Sequence, residues 1–154
     1  AKNNLRLKII GDISGFSGTI QKAIAKAEAD TADNTGMTLA VAANYGGHWD
    51  IVQATQKLAK LVQAGKLQPE EITEEAITEY IMLGDLPPPD LCIRTAGEQR
   101  ISNFLLWQMA YTEFYFTSEY WPDFNQASLR KAFESFTNRV RRFGRTDDQL
   151  DQET

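Results

Sequence analysis

The sequence contains one cysteine, one histidine and five prolines in 154 residues. A single cysteine excludes an intrachain disulfide framework, and Cys92, set between Leu91 and Ile93, reads as a buried thiol rather than a nucleophile. A single histidine excludes a multi-histidine metal centre, so His48, after Gly46-Gly47, reads as structural. No apolar run approaches the ~18 residues that a membrane span requires. The formal net charge of -5 has the wrong sign for a general nucleic-acid binder, or for a protein that adheres to membranes through a basic patch. Internal repeats and low-complexity segments are also missing. What remains describes a soluble intracellular domain, with 42% hydrophobic content to fill one core.

Alternating periods predict the architecture. Leu5 to Ile10 reads as a strand closed by Gly11-Asp12, with Asp12 a cap or turn residue. Ser14 or Ser17 then opens a helix to about Asp33, whose apolar face holds Ile20, Ala23, Ile24 and Ala27. Met37 to Ala43 is apolar almost throughout, which suits a strand covered on both faces. Asn44 to Gly47 turns into a helix near Trp49–Gln63, with Asn44 bonding the turn backbone. Pro69 opens another helix, and Pro87-Pro88-Pro89 breaks the chain before a strand at Asp90–Arg94. A helix over Ser102–Ala110, a strand over Thr112–Phe116 and a helix from Ser128 to about Arg142 follow. The pattern predicts an α/β fold in three layers, with a mostly parallel central sheet flanked by helices. Its ligands belong at the carboxyl ends of the strands. The acidic stretch 147–154 reads as a disordered tail.

Chemistry concentrates in Arg94-Thr-Ala-Gly-Glu-Gln-Arg-Ile-Ser-Asn-Phe104. Arg94 and Arg100 each offer a planar fork of donors suited to phosphate oxygens, and Ser102 adds a neutral donor. Gly97 admits close backbone approach, and a helix opening at Ser102 would turn unpaired N–H groups towards an anion. Two arginines, a hydroxyl and a helix end exceed the needs of one phosphate, so diphosphate is the expected ligand. The same residues also suit a solvated loop in which Ser102 merely caps the helix. Glu113 lies in a segment, Trp107 to Phe124, that holds half of the chain's aromatic residues. Such clustering suits a core or a subunit interface. Asp50 and Glu28 stand in no constellation.

RTAGEQRISNFLLWQMAYTEFYF followed by WPDF resembles the cis-prenyltransferases, closest to the bacterial undecaprenyl diphosphate synthases. IIGD, NTGMTLAVAANYGGHWDI and RRFG fall in that family's order and spacing, so the resemblance spans nearly the whole chain. It implies an undecaprenyl diphosphate synthase-like fold, with 1–146 as the C-terminal section of a single domain. The family's N-terminal strands, and its DGNGRWA loop with the catalytic aspartate, are expected upstream of residue 1. No catalytic residue is therefore assigned within this section, which alone is expected to be inactive.

The resemblance further implies an enzyme that condenses isopentenyl diphosphate onto farnesyl diphosphate to give an undecaprenyl-type polyprenyl diphosphate. Arg94, Arg100 and Ser102 would bind the isopentenyl diphosphate, and Glu113 would assist Mg²⁺, a hard cation that favours such oxygen donors. Gln99 stands where relatives often carry a metal-approaching histidine, and His48 where most carry arginine. A homodimer through Trp107–Phe124 is implied, with Arg142 and Gly144 of the RRFG segment as candidates to reach across it. The same residues suit a plain helix end. Met37–Ala43 would suit either a tunnel wall for the growing chain or a packed core. The enzyme would be cytoplasmic, at the inner face of the membrane into which its product partitions. A non-catalytic partner subunit of a heteromeric enzyme and a generic diphosphate-binding α/β domain are the alternatives.

Overall fold

The computed structural model describes residues 4–139. Their contacts group into two compact units: residues up to Pro87 together with Asn103–Trp107, and Pro88–Ser102 together with the residues from Gln108 onward. Both are α/β, and both pair their strands in parallel. The segment 140–154, with Arg142, Gly144 and the acidic tail, lies outside the described residues.

In the first unit, β1 (Arg6–Ile10) pairs in parallel with β2 (Thr38–Ala42), placing Arg6 opposite Thr38 and Ile10 opposite Ala42. Parallel neighbours need a crossover, supplied here by α1 (Gly18–Ala29). A short 3₁₀ turn at Ile13–Gly15 precedes it, and the Ser17 hydroxyl accepts from Ile20 N–H at its start. The helix thus begins and ends inside the 14–33 span expected for it. Polar residues of α1 and the turn after it close the outer edge of β1. Glu28 accepts the Ile9 N–H at 2.7 Å, Thr31 accepts the Leu7 N–H at 3.1 Å, and Asn34 donates to the Leu5 carbonyl at 2.6 Å. Glu28 therefore does belong to a constellation, and it is a structural one.

Gly11, at φ +116°, packs so closely on the Ala43 carbonyl that a Cβ would lie 2.1 Å from its oxygen. The expectation of a fully covered β2 fails, since Leu39 and Val41, two residues apart and so on one face, are 45% and 42% exposed. Among the described residues that face is only partly covered.

α2 (Gly47–Gln63) buries Ala54 and Leu58, which join Ile10 and Ile81 in this unit's core. Asp50 is as buried as these apolar residues, at 1% exposed. Its carboxylate accepts the Tyr45 hydroxyl at 2.8 Å and the Met82 N–H at 3.0 Å. Burying a carboxylate is costly unless such donors meet it, so Asp50 ties both ends of this segment to α2. Pro69 opens only a 3₁₀ turn, and α3 (Glu74–Tyr80) starts later, where Thr73 accepts the Ala76 N–H.

In the second unit, β3 (Leu91–Arg94) pairs in parallel with β4 (Glu113–Phe116), setting Leu91 opposite Glu113 and Arg94 opposite Phe116. α4 (Gln126–Thr137) packs on β4 and is capped by Asn125, whose side chain accepts from Ala127 N–H at 2.9 Å. The helix starts two residues earlier than expected and ends at Thr137 rather than near Arg142. Among the described residues, no helix is long and apolar enough to cross a membrane.

The helix expected over Ser102–Ala110 does not form; residues 102–111 run through successive turns. Ser102, Asn103 and Leu105 have φ of +50°, +59° and +43°, outside the helical region. The competing interaction is local to the first unit. Gly46 gives α2 no side-chain cap, and Asn103 takes that role from far along the chain. Its carbonyl accepts the Gly47 N–H at 2.7 Å and its side chain accepts the His48 N–H at 2.8 Å. Two orphan donors at a helix start are satisfied at the expense of helix propensity around Asn103.

Leu58→Ala is expected to destabilise the protein by about 2–5 kcal/mol through loss of packing. Asp50→Asn should cost about 1–3 kcal/mol by mismatching two buried donors. Urea denaturation midpoints check both, with the exposed Val52→Ala as a control that stays within about 0.5 kcal/mol.

Candidate functional site

Arg94 ends β3, and strand geometry carries its side chain to the carboxyl end of the β3–β4 ribbon. The chain then turns sharply at Ala96 and Gly97, both in the left-handed region at φ +63° and +70°. That turn is stitched to the segment after β4. Thr117 N–H donates to the Arg94 carbonyl at 2.9 Å, Gly97 N–H to Thr117 at 2.8 Å, and Ala96 N–H to the Glu119 carbonyl at 2.7 Å. Glu119 is itself held, its carboxylate accepting the Ser128 hydroxyl at the start of α4. The Ala96 and Gly97 donors are thus spent on the loop's own architecture. With no helix at Ser102, anion affinity here falls to side chains.

Two of the expected residues meet. Arg94 Nη2 donates to Ser102 Oγ at 3.1 Å, closing the loop so that guanidinium and hydroxyl share one locus. Arg100 forms an exposed ion pair with Glu98, six residues beyond Arg94 on the same loop. Such an exposed pair contributes little to stability and opens readily for a stronger anion. Gln99 is exposed.

Glu113 is elsewhere. It begins β4 opposite Leu91, three strand positions before the level of Arg94, or about 10 Å along the ribbon at ~3.3 Å per residue. Its Oε2 accepts from Arg139 Nη1 at 2.8 Å, and both side chains are 32% exposed. Glu113 Oε1 carries no hydrogen bond among the described residues. One partly exposed carboxylate fits Mg²⁺, which commonly takes one or two carboxylates and completes its shell with water and phosphate oxygens. Among the described residues no three His, Cys, Asp or Glu side chains are grouped closely enough to hold a metal without such help. His48 is exposed, and its backbone N–H serves the α2 cap.

In the first unit, an open cleft of about 280 Å³ lies where β1 and β2 end, lined by Asp12, Asn44, Tyr45, Gly46 and Trp49. Asp12, Asn44 and the Tyr45 hydroxyl are already engaged. Asp12 accepts from the Ser14 N–H and hydroxyl, and Asn44, at φ +50°, donates to the Asp12 carbonyl at 2.9 Å. Both are turn-forming residues, as their sequence positions suggest.

The aromatic segment is largely on the surface. Tyr111, Tyr120 and Trp121 are 70%, 67% and 75% exposed, with Trp121 stacked on Phe124 at 6.3 Å. Asp50, Asn103 and Arg139 are the residues that sequence reasoning passed over. Only Asp50, in the first turn of a helix and five residues from Tyr45, left a trace that could have been read.

Parallel strands with a cationic loop at their carboxyl ends define a class, the α/β proteins whose ligand crevice lies at that end of the strands. Comparison with known proteins then gives the family. A family model described as "Putative undecaprenyl diphosphate synthase" matches residues 1–144. The chain is 58% identical over 149 residues to the (2E,6E)-farnesyl-diphosphate specific ditrans,polycis-undecaprenyl-diphosphate synthase of Vibrio vulnificus (strain YJ016), covering 97% of this chain and 59% of that protein. It is 55% identical over 146 residues to the Escherichia coli (strain K12) synthase of the same description, covering 95% of this chain and 58% of that one. Among solved structures, lavandulyl diphosphate synthase from Lavandula x intermedia, in complex with dimethylallyl diphosphate, is 43% identical with a TM-score of 0.90, covering 94% of this chain and 62% of that one. A probable undecaprenyl diphosphate synthase from Campylobacter jejuni is 35% identical with a TM-score of 0.79, covering 94% and 65%. The chain belongs to the undecaprenyl diphosphate synthase family of cis-prenyltransferases and has that family's α/β fold. It spans about three-fifths of the length of the curated relatives it matches.

Cys92, on β3, is half-buried, and burial pushes its thiol above its ordinary pKa while the Arg94 charge partly offsets this. Because the folded value is the higher one, the thiol favours the fold below the ordinary value, and that contribution is lost as pH rises through the folded one. Native protein should therefore react with a thiol reagent at about pH 8 more slowly than urea-unfolded protein, read as rates of colour release.

Proposed function

We propose that the protein carrying this chain lengthens farnesyl diphosphate by successive condensation with isopentenyl diphosphate, giving an undecaprenyl-type polyprenyl diphosphate with new cis double bonds. The observation that carries this reading is the convergence of Arg94 and Ser102 at the end of β3 in a member of this family. Arg94 and Ser102 bind one face of the isopentenyl diphosphate. Arg100 exchanges Glu98 for the stronger anion, a swap favoured because a diphosphate offers more charge and more acceptors than one carboxylate. The diphosphate so held fixes the position of the homoallylic double bond.

The allylic diphosphate departs from its C1 carbon, and the isopentenyl π electrons form the new carbon–carbon bond there. A proton leaves the adjacent carbon, and its electrons form the new cis double bond. Catalysis is then chiefly positioning and stabilisation of the leaving diphosphate. Mg²⁺ would neutralise diphosphate charge when bound, with Glu113 as one ligand. The exposed aromatics from Tyr111 to Trp121 support a homodimer through this segment, since Tyr and Trp concentrate at interfaces. In the full-length protein such a pairing would complete an enzyme working in the cytoplasm at the inner face of the membrane that receives its product.

The alternative of a non-catalytic partner subunit predicts that these side chains are dispensable. Radiolabelled isopentenyl diphosphate incorporation, with farnesyl diphosphate and Mg²⁺, decides between them in the full-length protein. Long-chain product is expected, and Arg94→Ala should raise the isopentenyl diphosphate KM about 10- to 100-fold, the loss of one or two charge-assisted hydrogen bonds. Absence of product from folded full-length protein would overturn the enzymatic reading.

A further inference from the structure

Arg139 follows α4, and its guanidinium is held by two elements. Nη1 donates to Glu113 Oε2 at 2.8 Å, at the first residue of β4, while Nη2 reaches Ser135 Oγ at 3.5 Å in the last turn of α4. The ion pair is two-thirds buried on both sides, so it is screened less than the exposed pair between Arg100 and Glu98. It is also the described link between the start of β4 and the end of α4 that depends on charge. Among the described residues Glu113 is otherwise held through its backbone, whose N–H donates to the Asp90 carbonyl at 3.0 Å.

A carboxylate held in this way is not neutral towards a second cation. Glu113 Oε1 accepts no hydrogen bond among the described residues and the side chain is 32% exposed, so a divalent ion can reach it. Such an ion, about 2.1 Å from a carboxylate oxygen, would then stand within a few ångströms of the guanidinium on Oε2. Both charges are positive and the site is partly shielded from water, so the two occupants disfavour each other. We infer that the Glu113–Arg139 pair is a latch that competes with the divalent cation. Arg139 holds the carboxylate while no metal is bound, and metal loading releases Arg139 and loosens the end of α4. This makes Arg139 a positioning residue acting through Glu113. The inference rests on the reading of Glu113 as a metal ligand.

Mn²⁺ serves as the probe, with binding to the full-length protein followed by water proton relaxation in the absence of substrates. Arg139→Gln should tighten Mn²⁺ binding about tenfold, Arg139→Lys should stay near the wild type, and Glu113→Gln should abolish the site. Hydrogen exchange at residues 135–139 should rise when Mn²⁺ is added to the wild-type protein, a measurement that requires no variant to fold. Unchanged or weaker binding in Arg139→Gln, with the site still lost in Glu113→Gln, would overturn the latch and leave the ligand assignment standing. Undiminished binding in Glu113→Gln would overturn both. Exchange at 135–139 that ignores Mn²⁺ would also overturn the latch.

Discussion

The register of two short parallel strands governs the second unit. Because Leu91 faces Glu113 and Arg94 faces Phe116, the arginine and the glutamate are assigned to opposite ends of one ribbon. Backbone hydrogen bonding thus sets their Cα atoms about 10 Å apart along the ribbon. The loop after β3 inherits this constraint, since its turn is bonded to the segment leaving β4 at Thr117 and Glu119. Arg94 and Ser102 then meet as a consequence of where β3 stops. Glu113, at the other end, acquires its neighbour from α4 instead. A slip of one residue in this pairing would turn the side chains of one strand to the opposite face and break the bonds that stitch the loop to Thr117 and Glu119.

Polar anchors, one buried (Asp50) and one exposed (Asn103), do comparable work in the first unit. Asp50 satisfies a hydroxyl on one side and a backbone N–H on the other, and Asn103 completes a helix start that glycine leaves open. Each joins residues far apart in the chain, 32 positions for Asp50 and Met82 and 55 for His48 and Asn103. Interactions of this kind specify one arrangement, because an unpaired donor or carboxylate in the same place would be costly.

Much of this was legible in the sequence. The strands and the longer helices follow from period and punctuation: Gly11 and Pro87–Pro89 bound segments where the chain turns, and Ser17 caps where a cap was due. The arginine–serine loop could be read because phosphate recognition uses few residue types. Family membership was readable for a different reason, the order of several separated motifs. The helix over Ser102–Ala110 was misread because its apolar spacing is helical, while the deciding bond is made by Asn103 to a helix start 55 residues away. Exposure of Leu39 and Val41 could not be read either, since an apolar strand looks alike whether covered or bare. Arg139 gave no signal, because nothing in a run of basic residues tells which one turns inward.

The side chains that α1 and its following turn lay along β1 close one edge of the first sheet. With the Leu7 and Ile9 N–H groups already spoken for, a strand from another molecule finds no row of free donors there. Unwanted self-templating from that margin is blocked by a glutamate and a threonine rather than by a lysine or a proline. Among the described residues, β1 is therefore the guarded margin of this sheet.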